Sequence, residues 1–156
     1  MQVQLAGIEH GSMKDGPGVR NVIYFQGCPH RCPGCHNPET WDLHGGAPMD
    51  IQSLLDFVIE PNVDITISGG EPFLQVDELL EICIACKNAG KNVWVFTGYT
   101  IEQIYNEPFA VRCLKYIDVI VDGKYDQTQR DLSKFKGSKN QRICYIENGE
   151  VIKTEY

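Results

Sequence analysis

The chain has 156 residues, 42% hydrophobic and 22% charged, a size and balance that suit one globular domain over residues 1–156. Its 21 acidic side chains against 14 basic ones leave a formal charge of −7, which argues against nucleic acid as a partner, because that binding rests on Lys and Arg neutralising phosphates. No apolar run approaches the roughly 20 residues that cross a bilayer, and MQVQLAGIEHGSMKDG lacks the basic start and apolar middle of a leader, so the expectation is a cytoplasmic chain without a membrane partner.

No internal repeat or long charge run divides the chain, and organisation has to be read from apolar spacing and turn residues. NVIYFQG (21–27) is a β-branched and aromatic run ending at glycine, which predicts a strand. The stretch GCPHRCPGCHN (27–37) begins where that strand stops. DIQSLLDFVIE (50–60) opens on a helix-capping Asp50 and sets Ile51, Leu54, Leu55 and Val58 on one helical face, with Pro61 as the stop. DITISGG (64–70) reads as a second strand. In LQVDELLEICIACKNAG (74–90) the same spacing recurs through Val76, Leu79, Leu80 and Cys83, and Gly90 ends it. KNVWVFTG (91–98) is a third strand, residues 100–115 a shorter helical region, and YIDVIVDG (116–123) a fourth strand. QRICYI and EVIKTEY flank the turn signal ENG, so 141–156 is expected to close the chain as a hairpin.

Strands alternating with helices predict an α/β fold with parallel strands, since each crossover must bury its apolar stripe on the sheet. In such folds functional loops leave the carboxyl ends of the strands. Here those loops are the cysteine stretch, GGEP, TGYT and DGKYD, which places the unusual residues of the chain on one rim.

Seven cysteines make an odd count, three of them clustered, a pattern that fits a reducing compartment with metal or redox chemistry better than disulfides. Cys28, Cys32 and Cys35 are spaced C-x3-C-x2-C, and Pro29, Pro33 and Gly34 bend the backbone so that sulfurs can converge. Soft thiolates select zinc or iron–sulfur. A closed zinc site would need His30 or His36 as a fourth ligand. An iron–sulfur cube on three cysteines instead leaves one iron open to a small molecule. A Pro/Gly-rich surface loop is the bland alternative. In SGGEP (68–72) two glycines allow close approach of a ligand to the backbone, although a plain strand-to-helix turn has the same look. Cys83 and Cys86 lie on the apolar stripe of a helix and read as core. Cys113 and Cys144 stand singly, and His10 and His44 read as surface residues.

At C-x3-C-x2-C followed by GGE the chain resembles the radical S-adenosylmethionine enzymes. DGPGVR (15–20), GCPHRCPGCHNPETW (27–41) and VWVFTGYT (93–100) are similar to the branch that activates glycyl radical enzymes. VIVDGKYD (119–126) and FKGSKNQR (135–142), with the short length, look most like members acting on anaerobic ribonucleoside-triphosphate reductase.

The resemblance implies a partial (β/α) barrel of radical-SAM type with a hairpin-like C-terminal extension. It implies one 4Fe-4S cluster on Cys28, Cys32 and Cys35, and S-adenosylmethionine as cosubstrate. Gly69, Gly70 and Glu71 would take the methionyl end, the backbone of Gly34, Cys35 and His36 the adenine, and Lys124 the carboxylate. No catalytic side chain beyond the cluster ligands is implied. DGPGVR would set the mouth of the site or a docking face. The implied partners are the reductase and an electron donor of flavodoxin or ferredoxin type. The chain departs from many relatives in having Gly34, not an aromatic residue, before the last cysteine. Two rival readings are an activase of a formate-lyase-type enzyme and a zinc-stapled binding module without chemistry.

Overall fold

The computed structural model describes residues 1–131 and 135–156. Among these residues, one mixed sheet contains β1 (Gln2–Ser12), β2 (Arg20–Phe25), β3 (Ala47–Asp50), β4 (Asp64–Gly69), β5 (Val93–Phe96), β6 (Val119–Asp122), β7 (Arg142–Glu147) and β8 (Glu150–Glu155). Their spatial order is β3-β1-β2-β4-β5-β6-β7-β8. The four central strands β2, β4, β5 and β6 pair in parallel. Antiparallel strands extend both sides.

β1 and β3 are not predicted by the sequence pattern. Alternation in QVQL does bury Val3 and Leu5, but Gly7 and Gly11 dilute the pattern beyond it. At the other end, β7 and β8 form the expected hairpin, with Asn148 and Gly149 both at positive φ (51° and 82°), as a tight turn matched to strand twist requires.

Helix α1 (Ile51–Val58) starts at Asp50, whose carboxylate accepts the Ser53 N–H at 3.1 Å, and buries Ile51, Leu54, Leu55 and Val58. Helix α2 (Val76–Asn88) buries Leu79, Ile82, Cys83 and Cys86. Its buried stripe is rotated from the predicted one, because Val76 and Leu80 lie only partly covered at its edge. The region 100–115 is broken into α3 (Ile101–Tyr105), α4 (Pro108–Val111) and a 3-10 turn, Arg112–Tyr116. Pro108 interrupts the helical hydrogen bonding and restarts it with Glu107 as cap.

The apolar side chains of these helices join Ile23, Phe25, Ile65, Ile67, Val93, Val95 and Ile120 in one core. Strand side chains alternate between faces, so Tyr24, Ser68 and Phe96 point to the other face, and all three line a cavity there. The helices thus anchor one face of the parallel strands and leave the other for the site.

Candidate functional site

The four loops singled out from the sequence meet at the carboxyl ends of the parallel strands. The cysteine stretch is tied at its base: Gly27 N–H donates to the Thr40 carbonyl at 2.7 Å and Cys28 N–H to that of Trp41 at 3.3 Å. Within it, Cys35 N–H bonds the Cys32 carbonyl at 3.1 Å. Arg31 and Gly34 take left-handed backbone (φ 48° and 72°), turning the chain between the cysteines.

Each of the three thiols is partly buried. Burial pushes the Cys28 and Cys32 thiols up, and backbone N–H groups pull them back: those of His30 and Arg31 at Cys28, and that of Tyr125 at Cys32. The Asn37 N–H lies 3.4 Å from the Cys35 sulfur. N–H groups directed at sulfur are the donors that tune a thiolate-bound cluster, so these residues fit such a group. Among the described residues no three His, Cys, Asp or Glu side chains converge on one point as ligands of a single ion do. That condition does not apply to a cube, where each thiolate binds its own iron.

GGEP is folded against the root of the cysteine stretch. Gly70 N–H donates to the Phe25 carbonyl and Glu71 N–H to that of Gly27, both at 2.8 Å. Gly69 has φ +102°, and a side-chain carbon there would stand 2.5 Å from the Phe25 backbone, so glycine is required. Gly69 also lines the cavity. The Glu71 side chain is fully buried and directed at protein groups. It accepts from Thr97 Oγ1 at 2.8 and 2.9 Å, Gly98 N–H at 2.8 Å and Phe73 N–H at 3.0 Å, and lies 2.7 Å from His30 Nε2. His30, one of the two candidates for the fourth ligand of a zinc site, is therefore engaged by Glu71 and packs edge-on to Tyr99 at 4.6 Å between centroids.

The loop after β6 covers the last cysteines. Tyr125 packs on His36 with centroids 4.7 Å apart. Gln127 lies against Gly34 so closely that a side-chain carbon at 34 would be 2.1 Å from its Oε1. This accounts for the glycine before Cys35: the space an aromatic side chain would use is taken by Gln127. Lys124 is exposed, yet near enough to Cys32 to lower that thiol electrostatically.

The cavity beside these loops has a volume of about 480 Å³, within the range of small-molecule sites, and Cys35, His36 and Gly69 lie in its wall. Tyr24, Phe96 and Phe135 share that wall and were not singled out from the sequence, where the first two read as ordinary strand residues. Their alternation with core-facing neighbours was the available signal. Burial, with the charges of Asp15 and Glu9 nearby, pushes the Tyr24 phenol up to about 12, so it stays a neutral O–H donor. In DGPGVR, Asp15 reaches the cavity, whereas Arg20 is buried, donating to Thr66 Oγ1 at 2.8 Å and to the carbonyls of Pro17, Ile65 and Asn92 at 2.9 Å. Cys83, Cys86, Cys113 and Cys144 are fully buried in the core, away from the cysteine stretch.

A family model described as a 4Fe-4S single cluster domain matches residues 14–144. The anaerobic ribonucleoside-triphosphate reductase-activating protein of Escherichia coli (strain K12) is 33% identical over 144 residues, covering 85% of this chain and 92% of that relative. The protein of the same name from Enterobacteria phage T4 is 30% identical over 138 residues, 83% of this chain and 85% of its own length. That of Haemophilus influenzae is 36% identical over 141 residues, 83% and 89%. With one cluster-domain match spanning its cysteine stretch and relatives aligned over most of both lengths, the chain belongs to the family of anaerobic ribonucleoside-triphosphate reductase-activating proteins.

Proposed function

We propose that this chain is a radical S-adenosylmethionine activase that places a glycyl radical on an anaerobic ribonucleoside-triphosphate reductase, using one 4Fe-4S cluster on Cys28, Cys32 and Cys35. The observation that carries the reading is the placement of three partly buried thiols, with N–H groups directed at their sulfurs, beside a 480 Å³ cavity at the strand ends. When bound, a reduced cluster supplies one electron to S-adenosylmethionine, whose sulfur to C5′ bond breaks to give methionine and a carbon radical able to take hydrogen from glycine.

The residues of the chain would bind and aim. Gly69 and Gly70 offer backbone to the methionyl amino group, the backbone of Gly34, Cys35 and His36 borders the adenine, and Lys124 pairs with the carboxylate. Phe96 and Phe135 add apolar wall that excludes water around the reacting atoms. The sheet, with helices on one face and the site on the other, would serve as a partial (β/α) barrel. A flavodoxin- or ferredoxin-type donor would deliver the electron.

The test is anaerobic reconstitution followed by iron and sulfide analysis and a visible spectrum, then mixing with reductase, reductant and S-adenosylmethionine. About four irons with sulfide and a glycyl radical doublet by electron paramagnetic resonance are expected. One zinc with no sulfide would overturn the reading, and a doublet with a different glycyl radical enzyme alone would reassign the partner.

A further inference from the structure

Glu71 and His30 are 41 residues apart in sequence and meet at 2.7 Å, with 0% and 6% of their side chains exposed. A buried carboxylate is tolerated where donors satisfy it. Here Phe73 N–H, Gly98 N–H and the Thr97 hydroxyl do so. Backbone N–H groups can only donate, and a carboxylate can only accept, so the imidazole carries its proton on Nε2 and donates it to Glu71 Oε1. A second grip comes from the backbone: Gly98 is packed on the His30 ring, where a side-chain carbon would stand 2.4 Å from Cδ2. His30 in turn supplies one of the two backbone N–H groups that act on the Cys28 sulfur.

Three loops therefore meet on one carboxylate: the cysteine stretch through His30, GGEP through Glu71 itself, and TGYT through Thr97 and Gly98. Every side-chain oxygen of Glu71 faces a protein donor, which leaves it poorly suited to hold a cofactor amino group.

We propose that Glu71 is a positioning residue that acts through His30 on the turn between Cys28 and Cys32, setting the geometry and N–H bonding of the cluster thiolates, and that it does not bind S-adenosylmethionine through its side chain. This rests on the cluster assignment of the preceding subsection. Groups that orient metal ligands through a hydrogen bond commonly change metal affinity by about 10- to 100-fold when removed.

The test uses the full chain with Glu71→Gln, His30→Ala and His30→Gln, the last keeping an amide N–H near the position of Nε2. In the anaerobically reconstituted protein, His30→Ala is expected to release iron to a chelator about tenfold faster and to change the g values of the reduced cluster, while S-adenosylmethionine affinity stays within about threefold. His30→Gln is expected to restore both readouts to near wild type. In the metal-free chain, deuterium exchange of His30→Ala should quicken across 27–41 and stay unchanged in α2 and β7.

A His30→Ala protein with wild-type iron release, g values and exchange would overturn the proposal. So would a tenfold loss of S-adenosylmethionine affinity in Glu71→Gln with none in His30→Ala, since the carboxylate would then be a cofactor ligand. Wild-type chain that takes up no iron and sulfide would instead overturn the cluster assignment, and the proposal with it; the exchange measurement on the metal-free chain tells the two failures apart.

Discussion

Three cysteines at the rim and four in the core share one side chain and differ in exposure and in the groups that face the sulfur. Cys28, Cys32 and Cys35 are partly exposed on a loop whose backbone N–H groups face sulfur. Cys83, Cys86, Cys113 and Cys144 are 0% exposed. Burial in the core pushes Cys86 and Cys113 up to about 12 and Cys144 up to about 11, where a thiol is neutral and inert at physiological pH. The contrast teaches that the thiol count says little until accessibility and local donors are known. Buried cysteine is a small hydrophobe, whereas at the rim backbone N–H groups work against the upward push of burial on the Cys28 and Cys32 thiols.

The sharpest way to break this comparison is to exchange a member from each set. Cys32→Ala should lower iron per chain after reconstitution to under about a tenth of wild type, with the melting temperature of the metal-free chain nearly unchanged, because its side chain is only partly buried. Equal iron in variant and wild type would remove Cys32 from the ligand set. Cys83→Ser should do the reverse: iron per folded chain stays constant while stability falls by about 1–3 kcal/mol in a denaturant titration, the cost of burying a hydroxyl among apolar neighbours. A serine variant that folded as stably but lost iron would place a metal site in the core.

Gly34→Ala probes the packing over the rim. The left-handed φ of 72° costs an alanine about 1–2 kcal/mol, and its methyl would also displace Gln127. Adding Gln127→Ala removes the amide end and keeps the Cβ, itself 2.9 Å from a side-chain carbon at 34, so it should recover part of the steric cost and leave the backbone part. If the double variant is no more stable than Gly34→Ala, Gln127 is not what excludes a side chain at 34.

The remaining effect is the alkaline limb of the stability curve. Cys86 and Cys113 are held above their ordinary value of 9.0, so between pH 9 and about 12 the folded chain keeps protons that the unfolded chain has released. Their contribution is fully retained below pH 9 and is lost as pH rises, by at most about 1.4 kcal/mol per pH unit per thiol. Cys86→Ala should lower the starting stability and flatten that slope by about one proton, read from chemical denaturation at pH 8.5, 9.5 and 10.5. An unchanged slope would mean that Cys86 does not titrate in this window.

Local features were legible without a structure. The C-x3-C-x2-C spacing, the capping Asp50, the apolar face of α1 and the ENG turn all depend on residues within a few positions of one another, where backbone geometry alone dictates the outcome. β1 and β3 were missed because an edge pairing with glycines and Pro48 carries little periodicity of its own. The buried stripe of α2 takes Ile82 and Cys86 in place of the predicted Val76 and Leu80, because the sheet decides which side of the helix is covered.

What the sequence by itself determined was the identity of the chemical groups and the order of strands and loops that carries them to one rim. Only the tertiary structure decided their partners: Glu71 with His30, Gln127 against Gly34, Tyr24 and Phe96 facing the cavity. Contacts between distant residues depend on how helices and strands pack in three dimensions, and side-chain spacing along a chain holds no record of that packing.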